Sequence, residues 1–145
     1  MDRPEQNIQP SVGIICFRSD DVLLIERGTA PFRGEWSIPG GKIEFGESAT
    51  TAALRELSEE TCVEAELLGL CNVVDAIISS RKTGKVTRHY LLCNYVARWK
   101  AGIPTASDDA AAARFMSPSD LKDIDLWSET RKTIEMARRQ LAASL

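Results

Sequence analysis

Apolar and polar positions along the chain form two kinds of pattern, one typical of strands and one with the periodicity of helices. Runs rich in β-branched and aromatic residues predict strands at SVGIICFRS, VLLIER, SIP, VEAELLGLCNVVDAIISS (one strand or two), VTRHYLLCNYVARW and ARFMS. Helical periodicity predicts helices at ATTAALRELSEET, with Ser48 as its N-cap, at SETRKTIEMARRQLAASL, also begun by a Ser, and a short helix or turn at SPSDLKDI. Residues 1–9 are predicted as a flexible tail, and PGGKIEFGES as a long loop. The mixture indicates an α/β fold, in which helices pack on the faces of a mixed sheet.

Length and composition narrow the class of protein. A chain of 145 residues suits one compact domain, here residues 10–145. A net charge of −3 argues against a general nucleic-acid or anionic-membrane binder. The polar N-terminus does not resemble a signal peptide, and no apolar run reaches the roughly 20 residues of a membrane helix. The four cysteines form no C-x-x-C pair, and Cys16 and Cys93 lie in apolar runs as buried thiols, so a reducing, cytoplasmic location is expected.

Three carboxylates crowd the second half of the first predicted helix, at Glu56, Glu59 and Glu60. At 100° per residue they share a stripe with Ala49, Ala52 and Ala53, whereas Thr50, Leu54, Leu57 and Thr61 fall on another side. A solvated acidic face is the simplest interpretation of such a stripe. However, no lysine interrupts it, and a Gly-rich loop leads directly into it. Clustered carboxylates suit a hard divalent cation such as Mg²⁺, which is often shared with substrate phosphates.

The spacing around these carboxylates is more specific than the cluster itself. Gly41 is followed after five residues by Glu47, and after seven more by Arg55-Glu56-Leu57, one residue, Glu59-Glu60, one residue and Cys62-Val63. This resembles the Nudix box, G-x5-E-x7-R-E-U-x-E-E-x-G-U, in which U is a bulky aliphatic residue. Every position matches except the final Gly, where Cys62 stands. The preceding VLLIERG and GEWSIPGG resemble the usual lead-in to that box.

The resemblance implies a Nudix fold, an α/β/α sandwich around a mixed β-sheet, and hydrolysis of a pyrophosphate bond with Mg²⁺ or Mn²⁺. It implies that Glu56, Glu59 and Glu60 are catalytic and, with the Gly40 carbonyl, bind the metal. Glu56 or a carboxylate of a nearby loop would orient or deprotonate the attacking water. Gly41, Glu47 and Arg55 would be structural, the last two as an ion pair. A further acidic ligand often comes from a later loop, where Asp108 and Asp109 are candidates, although a turn-forming pair is as reasonable an interpretation.

Substrate contacts are less well defined by the sequence. Arg27, Arg33 and Arg88 are candidate phosphate ligands, whereas the RKTGK cations are interpreted as a solvated hairpin tip and His89 as structural. The chain looks like small bacterial ADP-ribose pyrophosphatases, so ADP-ribose or a related nucleotide sugar is the expected substrate. The proline that such enzymes often carry about 16 residues beyond the box is absent, because Ile78, Ser79 and Ser80 stand there, and so is an SQPWPFP motif. A pool-sanitising nucleoside triphosphate pyrophosphatase and a non-catalytic nucleotide sensor therefore remain alternatives. The partner is a small nucleotide, and the oligomeric state is left open between a monomer and a homodimer.

Overall fold

The computed structural model describes residues 6–29 and 32–144. Within them the chain forms seven strands and three helices. The strands are β1 (Ile8–Arg18), β2 (Asp21–Arg27), β3 (Trp36–Ser37), β4 (Gly40–Lys42), β5 (Glu64–Ser79), β6 (Val86–Ala101) and β7 (Ala110–Met116). The helices are α1 (Ala49–Thr61), α2 (Pro118–Leu121) and α3 (Ser128–Ala143).

All seven strands belong to one mixed sheet with β1 near its middle. The main order is β3-β2-β1-β6-β5, while β4 pairs with β1 and β7 pairs with β2. The pairing of β1 with β6 is parallel, from Ile8 beside His89 to Phe17 beside Arg98, and the other pairings are antiparallel. A parallel pair needs a long crossover between its strands, and here the chain between β1 and β6 includes α1.

The two longer helices cover opposite faces of this sheet. Val12, Ile14 and Cys16 of β1 pack in one core cluster with the α1 residues Ala52, Ala53 and Leu57. The alternate β1 residues Ile15 and Phe17 pack in a second cluster with the α3 residues Ile134 and Ala137. Consecutive side chains of a strand point to opposite faces of the sheet, so the buried residues of β1 contribute to the core on both faces. The predicted α/β/α sandwich is confirmed.

Several element boundaries differ from the sequence-based expectation. β1 begins at Ile8, inside the segment predicted as a tail, while residues 1–5 of that segment lie outside the described residues. The predicted long loop contains β4, and the segment predicted as one strand or two forms a single bulged strand, β5. Cys16 is a buried thiol as predicted, whereas Cys93 is only partly buried. At α3 the N-cap position is Trp127, which makes no capping hydrogen bond with its side chain.

Burial along α1 does not follow the two sides of the helical wheel. Of the residues placed away from the glutamates, Leu57 and Thr61 are buried, whereas Thr50 and Leu54 are exposed. On the glutamate stripe, two alanines and Glu60 are buried, whereas Glu59 is exposed. Ala52 and Ala53 are fully buried, because their small side chains let the helix backbone approach the sheet closely. They therefore do not leave open space beside the glutamates.

No helix in the described ranges is both long and apolar enough to pass through a membrane.

Candidate metal centre and active site

Helix α1 positions the carboxylates, and both of its ends are capped. At its start, the Ser48 hydroxyl accepts a hydrogen bond from the Thr51 N–H at 3.2 Å, as predicted for an N-cap. At its end, Cys62 adopts the left-handed conformation, with φ 61° and ψ 21°, and its N–H donates to the Ser58 carbonyl at 2.9 Å. The residue that departs from the box therefore keeps the backbone turn for which glycine is favoured.

Cys62→Gly is expected to stabilise the protein by several tenths of a kcal/mol to about 1 kcal/mol. Glycine adopts positive φ without steric cost, and Cys62 is exposed, so little packing is lost. Turnover should be nearly unchanged. Thermal melts under reducing conditions measure the effect, and Cys62→Ser is the control, because serine keeps the Cβ and should bring no gain. A clear loss of stability in Cys62→Gly would show that the cysteine side chain contributes packing that outweighs the strain.

Glu60 is the most buried of the three glutamates, with 6% of its surface exposed. Its Oε1 accepts a hydrogen bond from the Gly40 N–H at 3.0 Å, which joins the end of α1 to β4. Burial raises the pKa of Glu60 to about 8. The Gly40 N–H opposes this shift, while the charge of Glu56, a hydrogen bond to it and the charge of Asp108 add to it. Glu60 therefore holds a proton near neutral pH in the metal-free protein.

Metal-free protein is expected to lose stability as the pH rises from about 5 to about 8.5. The folded-state pKa of Glu60, about 8, lies above the value of 4.5 for an unperturbed glutamate, so its contribution is complete below about pH 4.5 and disappears through pH 8. The expected loss is at least about 1 kcal/mol, or roughly 3 °C in Tm. Melts in EDTA measure it, and Glu60→Gln should flatten the profile. Equal pH profiles for the two proteins would contradict the inferred protonation of Glu60.

Glu56 lies beside Glu60 and fills space that a glycine leaves open. A Cβ built on Gly41 would stand 2.5 Å from the Glu56 carboxyl carbon and 2.6 Å from both of its oxygens. Burial raises the pKa of Glu56, and the adjacent Arg55 guanidinium, at 2.9 Å, partly offsets that shift. The side chain is 14% exposed. Because Gly41 has no side chain, it leaves room for the Glu56 carboxylate.

Arg55 connects the loop before α1 to two of the glutamates. Its Nε and Nη2 donate to the two oxygens of Glu47 at 2.6 and 2.9 Å, and Nη2 also donates to the Lys42 carbonyl at 3.1 Å. Its Nη1 donates to Glu56 at 2.9 Å and to Glu59 at 3.2 Å. The hydrogen bond from Arg55 lowers the pKa of Glu47 to about 2. The bidentate contact with Glu47 fixes the guanidinium, which then orients the two glutamates.

Glu59 is the most exposed of the three glutamates. Its side chain is 46% exposed, and it lines an open cleft with Ser58, Ser107 and Asp108. The loop that carries Asp108 is attached to the end of α1, because the Ser107 N–H donates to the Glu60 carbonyl at 3.1 Å. Sequence patterns gave no indication that Ser58 and Ser107 would line this cleft, since neither has a fixed place in the box.

The two aspartates of that loop differ in position. Asp108 has a positive φ of 56°, lines the cleft, and is close enough to raise the pKa of Glu60. Asp109 is exposed, and its carbonyl accepts a hydrogen bond from the Gly28 N–H at 2.9 Å. Asp108 is therefore the aspartate that the fold brings to the carboxylates.

The oxygen atoms of these carboxylates are the ligands that a hard divalent cation prefers, but the carboxylates are not arranged around a common point. Within residues 6–29 and 32–144, no three Asp, Glu, His or Cys side chains are gathered closely enough to hold a metal ion. The expected convergence of all three glutamates is met only by Glu56 and Glu60. Both have a raised pKa, which a nearby cation would lower, and all the available ligands are oxygens. Glu59 is exposed enough to rotate away from Arg55 and join them.

The fold separates Arg88 from the other two predicted phosphate-binding arginines. Arg33 lies in the loop after β2, and its Nε donates to the Gly28 carbonyl at 3.1 Å. Arg27 ends β2 beside Ala110, next to the Asp108 loop. Arg88 lies elsewhere. Within the sheet, Val12 pairs with Gly41 on one side and with Cys93 of β6 on the other. Arg88 is five residues along β6 from Cys93, which corresponds to about 16 Å along the strand. The fold therefore keeps Arg27 near the cleft and leaves Arg88 near the end of the β5–β6 hairpin.

His89 also lies on that hairpin, and its Nε2 is 2.9 Å from Asp75 Oδ1.

Comparison with known proteins identifies the family of this chain. The family model described as NUDIX domain matches residues 7–137. An ADP-ribose pyrophosphatase of Methanocaldococcus jannaschii is 29% identical over 79% of this chain and 66% of its own length. An 8-oxo-dGTP diphosphatase of Proteus vulgaris is 30% identical over 69% of this chain and 83% of its own. The crystal structure of a MutT NUDIX hydrolase from Burkholderia pseudomallei superposes with a TM-score of 0.77 at 28% identity, over 90% of this chain and 98% of that one. The chain belongs to the Nudix family of hydrolases.

Proposed function

We propose that this hydrolase is a magnesium- or manganese-dependent pyrophosphohydrolase that cleaves a nucleoside diphosphate linked to another group. ADP-ribose or a related nucleotide sugar is the proposed substrate. The observation that carries the proposal is the pair of adjacent carboxyl groups, buried Glu60 and partly buried Glu56, held against Gly40 and Gly41. Two neighbouring acids that are withdrawn from water are costly unless a proton or a cation neutralises them, and a cation shared with phosphates meets that need.

Each residue of the site has a distinct task in this proposal. Glu56, Glu59 and Glu60, with the Gly40 carbonyl, would hold the cation, and Asp108 would add a carboxylate from the opposite side of the cleft. The cation, when bound, offsets phosphate charge and makes water a better nucleophile. Glu56 is the proposed group that orients the attacking water, because Arg55 fixes its carboxylate. Arg27 lies beside the loop that carries Asp108 and is proposed to contact the phosphates.

A second candidate function has its own support. The Proteus vulgaris relative is named for a nucleoside triphosphate, 8-oxo-dGTP, and the proline typical of ADP-ribose hydrolases is absent at Ile78–Ser80. A nucleoside triphosphate pyrophosphatase would use the same carboxylates. A non-catalytic sensor is the weaker alternative, because every acidic position of the box is present.

Identification of the products separates these functions. Purified protein with Mg²⁺ is incubated with ADP-ribose, other nucleotide sugars and nucleoside triphosphates, and the products are resolved by anion-exchange chromatography. The proposal predicts AMP and ribose 5-phosphate from ADP-ribose, at a kcat/KM at least about tenfold above that for any triphosphate. A nucleoside monophosphate with pyrophosphate as the preferred products would favour the triphosphatase. Binding of nucleotides without turnover would favour the sensor.

A further inference from the structure

The outer edge of the sheet at β5 is only partly protected. In the part of the chain that the structure describes, the strand order ends at β5. Helix α3 covers the first half of the strand, where Gln140 Nε2 donates to the Leu70 carbonyl at 3.2 Å and Asn72 Nδ2 to Thr133 Oγ1 at 3.1 Å. Among the described residues, no side-chain hydrogen bond joins α3 to β5 beyond Asn72. An edge strand presents backbone N–H and C=O groups that can pair with another strand.

The uncovered part of β5 is regular and apolar. Bulges interrupt its register with β6 between Leu70 and Asn72 and again between Ile78 and Ser79, whereas the seven residues 72–78 pair without interruption. Bulges discourage edge-to-edge pairing, so the stretch between them is the part open to it. Val73 and Ile77 lie on one face of this stretch and are 52% and 55% exposed.

We propose that two copies of this chain pair antiparallel through residues 72–78 of β5, with Asp75 on the two-fold axis. The regular stretch is centred on Asp75, and its pattern is the same in both directions: Val73 and Ile77 lie two residues to either side. In an antiparallel pair, Val73 then faces Ile77 of the partner subunit and Ile77 faces the partner's Val73. Seven paired residues supply roughly seven backbone hydrogen bonds and bury both apolar pairs.

Charges beyond the paired stretch support a second copy as the occupant. The hairpin after β5 carries Arg81 and Lys82, whereas the start of β5 carries Glu64 and Glu66, and all four are exposed. Antiparallel pairing brings the basic end of each copy to the acidic end of the other. An unrelated extended peptide could form hydrogen bonds with the same strand edge, but only a second copy carries the matching arrangement of acidic and basic residues.

The same register places one unfavourable contact at the centre of the interface. Asp75 faces the partner's Asp75, and like charges directly opposite each other weaken strand pairing. The 2.9 Å contact with His89 leaves this side chain largely exposed, so it does not remove the repulsion. The dimer is therefore weak, and neighbouring substitutions on one strand should act in opposite directions.

Sedimentation velocity between about 1 and 200 μM tests the interface, a range suited to a small, weak contact. The wild-type chain should show a concentration-dependent monomer–dimer equilibrium. Ile77→Lys should remain monomeric throughout, whereas Asp75→Asn should tighten the dimer by roughly two- to fivefold. Val86→Lys is the matched control: Val86 is an equally exposed apolar residue on β6, away from the edge, and should leave dimerisation unchanged.

Circular dichroism and turnover per chain establish that each variant is folded, because the edge lies away from the carboxylates of α1. A wild-type chain that is monomeric at every concentration overturns the proposal. A dimer that is unaffected by Ile77→Lys, or weakened by Asp75→Asn, also overturns the proposed register.

Discussion

Glu56→Gln should lower turnover by at least about 100-fold at saturating Mg²⁺. Glutamine keeps the shape of the side chain, so it fits the space beside Gly41, but it cannot carry the charge that a cation or an attacking water requires. The fold should survive, because burial already penalises the charged form of this carboxyl. Initial rates on the preferred substrate, with thermal melts of both proteins, measure the two effects separately.

Glu135→Gln is the control for this substitution. Glu135 is exposed on α3, on the other side of the sheet, and its loss of charge should change neither rate nor stability. Near wild-type turnover in Glu56→Gln would remove Glu56 from the chemistry. Loss of the folded state instead would mean that the ion pair with Arg55 is mainly structural.

Gly41→Ala should lower turnover by at least about tenfold, because a small displacement of a catalytic group costs a large part of the rate. The new Cβ would stand 2.5 Å from the Glu56 carboxyl group, which must move. The displaced atoms are the end of a flexible side chain, so the loss of stability should stay below about 1 kcal/mol.

Gly46→Ala should show the opposite pattern. Gly46 has a φ of 87° and open space around its Cα, so alanine there is strained by about 1 kcal/mol without touching the carboxylates. Its turnover should stay within about threefold of wild type. Melting temperatures and rates of the two variants, measured together, distinguish displacement of the Glu56 carboxylate from the effect of backbone strain. Equal turnover in Gly41→Ala and wild type would show that the position of Glu56 tolerates the shift.

The features that the sequence predicted well are those carried by local pattern. The apolar run around Ile14 and Ile15 indicates a strand, and the structure shows that this strand, β1, is buried on both faces. Ser48 precedes a helical pattern and caps α1. The resemblance to the box also implied an ion pair of Arg55 with Glu47, and this ion pair joins loop and helix in the structure.

The features that it missed depend on contacts between distant segments. β4 consists of Gly40, Gly41 and Lys42, which have little preference for strands, and it exists because it pairs with β1. The helical wheel did not show which residues of α1 are buried, because close approach to the sheet buries the small Ala52 and Ala53 and leaves Leu54 exposed. The separation of Arg88 from the cleft follows from the register of β6 against β1, which no local pattern encodes.

In the proposed function, hydrolysis requires a divalent cation bound by the α1 carboxylates. The most direct test is a titration of metal-free protein with Mn²⁺, followed by electron paramagnetic resonance, with hydrolysis of the preferred substrate measured in the same samples. Activity should be absent in EDTA and rise with Mn²⁺ occupancy, and Glu60→Gln should weaken Mn²⁺ binding by at least about tenfold. Undiminished hydrolysis in EDTA, or Mn²⁺ binding that Glu60→Gln leaves unchanged, would contradict this requirement.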